Sequence, residues 1–331
     1  MGARVVAIVN RRARRLEAVD ERAHRLLDVL RARRADVRVI ETHSMADLDA
    51  AAEELARDVP EAIVLAGGDG SYMAGITALV RSFAAAGRSA DALPAIALAP
   101  GGTVSTVARN WGFRGGGLFS RGDDQAARYA ARLLDAVSRG PGHATETLRP
   151  TLRAVDDERE RIGFIFGAGL VSRFFEVYDE EGSRGYRGAA SIVARVFTGS
   201  LTRGALAERI LTPVPCILEV DGVRAREDRA SLVCASVVRD LGIGIHLLYR
   251  AAEAHDRFHV VATPLGPAKL GPQLPLVLAG QPLLGAGNVD TLARTVTLRF
   301  EGGGAYVLDG ELLRTERVVV TAGPPLRVLS V

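Results

Sequence analysis

The sequence carries its most distinctive chemistry in residues 67–71, Gly-Gly-Asp-Gly-Ser, which we call the glycine loop. An apolar strand over residues 61–65 is predicted before it, and a helix over residues 71–86 after it. A helix N-terminus favours an anion, and glycines allow a phosphate to approach the backbone. A carboxylate at Asp69 would repel that phosphate unless a divalent cation or an ordered water lies between them. The pattern predicts a phosphate and metal site, and the alternative is a plain turn in which Asp69 is the helix N-cap.

A second distinctive stretch is an acidic pair, Asp309 and Glu311, that flanks Gly310. In an extended chain the two carboxylates would point to the same side, and Gly310 would let another chain or a ligand come close. Carboxylates this close raise the proton affinity of one of them, which suits a general base. Taken alone, the stretch favours the alternative of an Asp-Gly hairpin turn followed by a charge.

The elements that must position these residues change in character along the chain. Strands alternate with helices over residues 1–141, which predicts an α/β domain with a doubly wound parallel sheet and ligands at the carboxyl ends of its strands. Asn10, the glycine loop and residues 101–103 all lie at the carboxyl ends of predicted strands, so we expect them to converge. Short apolar runs separated by turns over residues 142–331 predict an all-β, sandwich-like domain with a few helices. Its last strand could also return to the first domain.

Composition narrows the function classes. A chain of 331 residues is long enough for about two domains, and its net charge of +3 is compatible with an anionic ligand or membrane surface. Lys269 is the only lysine, so a Walker-type phosphate loop is excluded. Cys216 and Cys234 lie in apolar runs and are predicted to be buried free thiols. No apolar run is long enough for a signal peptide or a membrane span, which predicts a cytoplasmic protein, soluble or peripheral, and nothing indicates a nucleic-acid partner.

Residues 189–201 predict a helix with two interpretations. Its apolar face could pack in the core, or it could enter a bilayer with Arg195 and Arg203 at its polar edge. The sequence favours neither interpretation over the other.

Together these stretches resemble the lipid-kinase family of diacylglycerol, sphingosine and ceramide kinases, and especially its soluble bacterial members. The resemblance rests on residues 8–10 (Ile-Val-Asn), the glycine loop, residues 100–103 (Pro-Gly-Gly-Thr) with Ala108-Arg109 after them, and residues 309–311 (Asp-Gly-Glu). The family has a nucleotide-binding α/β domain followed by a β-sandwich domain, with the active site in the cleft between them. The resemblance therefore implies two domains, which the change in sequence pattern places at residues 1–141 and 142–331.

The resemblance also implies transfer of phosphate from ATP, with Mg²⁺, to the hydroxyl of a lipid at a membrane surface. It places the following residues at the nucleotide: Asn10, Gly67, Gly68, Asp69, Gly70, Ser71, Gly102 and Thr103. Asp69 would organise phosphate and Mg²⁺, and Asp309 would be a further metal ligand. Glu311, with Asp309 beside it, would take the proton from the lipid hydroxyl. A homodimer stays open.

Several residues depart from the family pattern. Met73-Ala74 stands where the family has Asn-Glu, and Ser105-Thr106 stands where it has Asn, often followed by Asp. The polar network around the metal is therefore reduced or rebuilt. NAD kinase is a rival interpretation, because it also has a glycine-Asp loop and a following β domain; residues 100–109 and the late Asp-Gly-Glu favour a lipid kinase. A non-catalytic nucleotide sensor is a third interpretation. Retention of Asp69, Asp309 and Glu311 argues against it.

Overall fold

The computed structural model describes residues 5–11, 28–29, 32, 37–101, 105–113, 122–139, 142–182 and 185–331. It divides into two compact units. Unit 1 comprises Met1–Arg149 with Pro324–Val331, and unit 2 comprises Pro150–Gly323. The division falls between Arg149 and Pro150 rather than at residue 141, because the strand that ends at Arg149 pairs within the sheet of unit 1.

Unit 1 is built on a six-stranded sheet. Its strands are β1 (Val5–Asn10), β2 (Val37–Thr42), β3 (Ala62–Gly67), β4 (Ala95–Pro100), β5 (Thr145–Arg149) and β18 (Leu326–Ser330). Among the described residues, the helices of unit 1 with defined bounds are α1 (Met45–Arg57), α2 (Asp69–Ala85), α3 (Thr106–Asn110) and α4 (Gly122–Arg139). The strand order is β2-β1-β3-β4-β18-β5, and every pairing is parallel except that of β18 with β5. Strands β3 and β4 are buried along their whole length, as their continuous apolar sequences require.

Unit 2 is dominated by antiparallel strands. They are β6 (Leu152–Asp156), β7 (Glu160–Gly163), β8 (Ile165–Gly169), β9 (Val214–Pro215), β10 (Ile217–Val220), β11 (Val223–Arg224), β12 (Arg229–Ala230), β13 (Leu232–Ser236), β14 (Phe258–Thr263), β15 (Val289–Ala293), β16 (Thr295–Leu308) and β17 (Glu311–Ala322). The main sheet runs β15-β14-β13-β8-β16-β17-β6-β7, with β10 and β11 joined to it at β16. The predicted fold class, an α/β domain and an all-β domain with a few helices, is confirmed.

Helices cover part of this sheet. They are α5 (Leu170–Glu180), α6 (Gly185–Thr202), α7 (Ala205–Leu211), α8 (Pro267–Leu270) and α9 (Leu274–Leu278), with a short 3-10 turn, Gly271–Gln273, between the last two. Ile192 of α6 and Ile210 of α7 belong to one buried cluster with Cys234 and Val261 of the sheet. Cys216 and Cys234 are buried free thiols, as predicted, and burial raises their pKa values to about 11 and about 12.

Two hairpins in unit 2 turn at an Asp-Gly pair. Asp221-Gly222 joins β10 to β11, and Asp309-Gly310 joins β16 to β17. All four residues have positive φ, between 48° and 88°, which is the backbone of the tight two-residue hairpin that Asp-Gly favours.

Across the parts of the chain that the structure describes, no helix combines the length and the apolar character needed to cross a bilayer.

Candidate active site

The first part of the candidate site is the turn from β3 into α2. Gly68 is the N-cap of α2 and Asp69 is its first residue, so the N-cap alternative for Asp69 is wrong. The Gly68 N–H donates to Ser71 Oγ at 3.4 Å, which satisfies one amide that the helix leaves unpaired. A Cβ added at Gly67 would lie 2.5 Å from Ser71 Cβ. Glycine is therefore required at position 67 while Ser71 keeps this place.

Asn10 and Ser71 meet at the carboxyl edge of the sheet. Asn10 is the last residue of β1, and its Nδ2 donates to Ser71 Oγ at 2.9 Å. Strands β1 and β3 are parallel neighbours, so their carboxyl ends lie at the same edge. The structure thus brings together two of the predicted nucleotide residues from distant parts of the chain.

A cavity of about 190 Å³ lies beside this pair. Its polar lining consists of Asn10, Ser71, Thr42 at the end of β2, and His43 and Ser44 in the turn after it. The apolar lining consists of Ile8, Met45, Leu48, Leu65, Ala66, Ala74 and Gly75. Pockets for whole drug-sized ligands begin at about 300 Å³, so this volume suits a ring or a sugar rather than an entire nucleotide.

Sequence reasoning did not place the turn after β2 in the site. The available signal was its position, because polar residues at the carboxyl end of a parallel strand face the ligand edge. Ser44 also caps α1, since its hydroxyl accepts the Asp47 N–H at 3.1 Å.

Asp69 joins the glycine loop to the segment after β4. Its Oδ2 accepts the N–H of Thr106 at 2.8 Å, and its Oδ1 accepts the N–H of Val107 at 3.0 Å. These are the first amides of α3, which have no partner within that helix. Burial raises the pKa of Asp69, while the hydrogen bonds from Val107 and Thr106 and the charge of Arg109 act in the opposite direction. Asp69 therefore has a structural role that the sequence did not predict.

The third predicted nucleotide segment begins beside the glycine loop. The Gly101 N–H donates to the Gly67 carbonyl at 2.7 Å. Ser105 has a left-handed backbone, with φ of 53°, immediately before α3. Gly102 and Thr103 lie outside the residues that the structure describes, so their assignment to the nucleotide stays a prediction.

In unit 2, Asp309 and Gly310 form a turn and not an extended segment. Leu308 and Glu311 face each other across it. The extended interpretation of residues 309–311 is wrong, because Asp and Gly both tolerate positive φ and the pair is a strong hairpin signal. The hairpin alternative is confirmed.

The Asp309 carboxylate holds the backbone between β7 and β8. Its Oδ2 accepts the N–H of Phe164, and its Oδ1 accepts the N–H of Ile165, both at 2.9 Å. The Asp309 N–H donates back to the Ile165 carbonyl at 3.0 Å. Only 6% of Asp309 is exposed, and a Cβ at Gly163 would lie 2.5 Å from its Oδ2. Asp309 therefore fixes the position of the hairpin.

Glu311 differs from Asp69 and Asp309, because its carboxylate accepts no such hydrogen bonds from described residues. It is exposed at the start of β17 and, among the described residues, receives no hydrogen bond on its carboxylate. Desolvation by the surrounding protein raises its pKa, and the charge of Arg161 lowers it. The cause predicted from the sequence, a neighbouring Asp309 carboxylate, is therefore wrong. A raised pKa on an accessible carboxylate still suits a general base.

Arg161 of β7 is held by a buried network. Its Nη1 donates to Asp156 Oδ2 at 2.7 Å, and the Tyr306 hydroxyl donates to the same oxygen at 2.6 Å. The side chains of Arg161 and Asp156 are only 13% and 3% exposed. Burial works against the charge of Asp156, but hydrogen bonds from Tyr306 and the backbone, with Arg161, keep its pKa below the usual range. Sequence reasoning missed this network, because 150 residues separate Tyr306 from Asp156.

The donor chemistry at Asp69 fits a nucleotide-bound Mg²⁺. Among the described residues, no group of three or more His, Cys, Asp and Glu side chains could hold a metal. Mg²⁺ at phosphoryl-transfer sites needs only one or two carboxylates, since phosphates and waters complete its shell. Asp69 accepts two backbone N–H groups and the Thr106 side chain, which leaves about one of the four acceptor positions of a carboxylate for a cation.

Comparison with known proteins agrees with these features. Residues 4–135 match the family model of the diacylglycerol kinase catalytic domain. No curated protein matches the chain in sequence.

Among solved structures, a candidate diacylglycerol kinase from Bacillus anthracis str. Sterne superposes with a TM-score of 0.66 at 18% identity, covering 99% of this chain and 95% of its own. A diacylglycerol kinase from the same organism superposes with a TM-score of 0.60 at 16% identity, covering 99% and 97%. At these identities the likeness shows the fold. The chain therefore resembles the diacylglycerol kinase family both in the sequence of residues 4–135 and in its fold, and the resemblance that its motifs indicate is confirmed.

Proposed function

We propose that this protein is a lipid kinase that uses ATP and Mg²⁺ to phosphorylate the hydroxyl of a diacylglycerol, a ceramide or a sphingoid base. One observation carries the proposal: Asn10 and Ser71 meet beside a cavity and the N-terminus of α2, within the region that matches a kinase catalytic domain. A phosphate-binding corner next to a ring-sized cavity is the arrangement that a nucleoside triphosphate needs.

In this proposal unit 1 binds the nucleotide. The cavity takes the adenine or the ribose, with Asn10 and the Thr42–Ser44 turn as hydrogen-bonding partners. The phosphates lie along the glycine loop, where the amides of α2 point at them. Asp69 would hold Mg²⁺, which when bound neutralises charge on the phosphates.

Glu311 acts on the acceptor. It takes the proton of the lipid hydroxyl as the hydroxyl oxygen forms a bond to the γ-phosphorus, and the bond to the β-phosphate oxygen breaks to release ADP. Asp309 positions Glu311 by fixing the hairpin, and its role as a second metal ligand stays a proposal. The charge of Arg161 lowers the pKa of Glu311 and so favours its ionised form.

The acceptor lipid also determines where in the cell the reaction would take place. Diacylglycerols and ceramides reside in bilayers, so the protein would act at the cytoplasmic membrane surface as a peripheral enzyme.

The proposal is tested by incubating the purified protein with radiolabelled ATP and Mg²⁺. Diacylglycerol, ceramide and sphingosine in detergent micelles, and NAD in solution, are offered as separate acceptors. We expect label on at least one lipid, none on NAD, and loss of transfer when EDTA removes Mg²⁺. Label on NAD alone would indicate a NAD kinase. Tight ATP binding without transfer to any acceptor would indicate a nucleotide sensor.

A further inference from the structure

A corner of unit 2 combines helices with an adjoining loop. We call it the helical corner. It consists of residues 200–203 at the end of α6, residues 267–278 (α8, the 3-10 turn and α9) and Leu284. Gly271 packs so tightly on α6 that an added Cβ would lie 2.1 Å from Ser200 Cβ. The Gln273 side chain accepts the N–H of Leu284 at 2.7 Å and donates to its carbonyl at 2.8 Å. These contacts join segments distant in sequence into one surface.

This surface exposes large apolar side chains. Leu201 is 60% exposed, Leu278 44% and Leu284 63%. One exposed leucine is ordinary, but several on neighbouring segments indicate a surface that a partner covers.

The charge of the helical corner is one-sided. No Asp or Glu occurs in residues 182–207 or in residues 257–289, although these types make up 39 of the 331 residues of the chain. Arg203 and Lys269 are exposed, and neither forms an ion pair with the described residues. Lys269, the only lysine of the chain, lies on α8.

Acidic residues on the adjoining elements do not reverse this charge. Glu180 and Glu181 pair with Arg209 and Arg195. Glu208 lies on α7 and the Glu227 side chain lies near Gly287, so both are outside the segments that form the helical corner.

We propose that the helical corner docks on anionic lipid bilayers. The three leucines would enter the boundary between head groups and acyl chains, and Arg203 and Lys269 would contact lipid phosphates. A second copy of the chain fits less well, because a two-fold interface would set this cationic surface against itself. The inference rests on the proposed function in one respect: docking would bring the protein to its lipid acceptor. Docking itself can be measured without catalysis.

The test is co-sedimentation of the full chain with vesicles of equal parts phosphatidylglycerol and phosphatidylcholine, and with vesicles of phosphatidylcholine alone. We expect binding to the anionic vesicles, at least tenfold weaker binding to the neutral ones, and weakening by added salt. The double variant Leu278→Glu/Leu284→Glu should lose at least tenfold in binding, and Lys269→Glu should lose severalfold.

Val223→Glu is the matched control, because Val223 is 72% exposed in the same unit but on β11, outside the helical corner. It should bind vesicles like the unchanged protein. Thermal unfolding checks that every variant is folded. The proposal is overturned if the unchanged protein ignores anionic vesicles, if the double variant binds equally well, or if Val223→Glu loses as much. It is also overturned if the double variant instead dissociates an oligomer in size-exclusion chromatography.

Kinase assays separate this proposal from the proposed function. In neutral detergent micelles, where docking on an anionic surface is not needed, the double variant should phosphorylate the lipid acceptor at the normal rate. A protein that binds anionic vesicles but phosphorylates no acceptor would refute the kinase and leave the docking surface standing. A double variant that is inactive in micelles although folded would refute the separation of docking from catalysis.

Discussion

The two Asp-Gly hairpins of unit 2 share one construction and differ in one residue that matters for chemistry. Asp221 donates its N–H to the Thr295 carbonyl and accepts the N–H groups of Arg294 and Thr295 on its carboxylate. Asp309 does the same with Ile165 and Phe164. Val223 follows the first turn, whereas Glu311 follows the second.

The similarity of the two hairpins indicates which of residues 309–311 is structural and which is a candidate for chemistry. In both hairpins the aspartate accepts backbone N–H groups of a neighbouring segment. The presence of Asp309 is therefore explained by structure alone. The carboxylate of Glu311 has no counterpart at the other hairpin and is the better candidate for chemistry. In unit 1 the structural role and the proposed chemical role fall on a single residue, because Asp69 both caps α3 and belongs to the glycine loop.

The strongest test of this separation is Glu311→Gln. Loss of the general base should lower turnover by about a hundredfold or more, with ATP affinity nearly unchanged and stability within about 0.5 kcal/mol. Initial rates, ATP binding and thermal unfolding are the measurements. Glu316→Gln, an exposed change on the same strand, should be neutral. Near-normal turnover of Glu311→Gln would mean that the base lies elsewhere.

Asp69→Ala tests the residue that carries both roles. Turnover should fall between about tenfold and a hundredfold, since each 1.4 kcal/mol of lost transition-state stabilisation is worth about a factor of ten. The lost cap should cost about 0.5–2 kcal/mol in the free energy of unfolding. Denaturant unfolding and rates against Mg²⁺ concentration measure the two effects. If the protein is destabilised but its folded fraction is fully active, Asp69 is structural alone.

Asp309→Asn and Asp221→Asn compare the hairpins directly. Asparagine keeps the positive φ but cannot accept both N–H groups equally well, so each change should destabilise unit 2, Asp309→Asn by about 1–3 kcal/mol because it is buried. Only Asp309→Asn should also lower turnover, by about tenfold, because only that hairpin presents Glu311. Equal turnover in the two variants at a temperature where both are folded would contradict the assignment.

Arg161→Gln should move the pH profile. As the proposed general base, Glu311 would act when ionised; the Arg161 cation stabilises that form, so removing the cation raises the pKa of Glu311. The acid limb of kcat should shift to higher pH, with the plateau rate unchanged. The double variant Arg161→Gln/Asp156→Asn avoids leaving a buried carboxylate unpaired and should show the same shift. Arg153→Gln, an exposed arginine on β6, is the control; an unmoved limb in both Arg161 variants would remove Arg161 from the site.

The smallest effect is expected for Asn10→Ala. It removes the hydrogen bond to Ser71 at the edge of the cavity, and a neutral hydrogen bond contributes about 0.5–1.5 kcal/mol. KM for ATP should rise by about two- to tenfold at unchanged kcat. A change in kcat alone would place Asn10 away from the nucleotide.

The sequence predicted those parts of the site that follow from the rules of parallel sheets. Asn10, the glycine loop and Gly101 were expected at one sheet edge, because carboxyl ends of parallel strands meet there. The partners of Asp69 could not be predicted, because they are backbone amides, which every residue carries. The Arg161 network was equally hidden, since it depends on the register of an antiparallel sheet, which short strands and long loops do not specify.

Strand β18 has a consequence for how the protein is made. It lies between β4 and β5 in the sheet of unit 1, yet the ribosome synthesises it after all of unit 2. Until residue 326 has emerged, β4 and β5 lack their shared neighbour and leave open strand edges, which attract chaperones or other chains. The sheet of unit 1 is therefore completed only in chains whose synthesis has passed through unit 2, so a product truncated within unit 2 would lack the strand that joins β4 to β5.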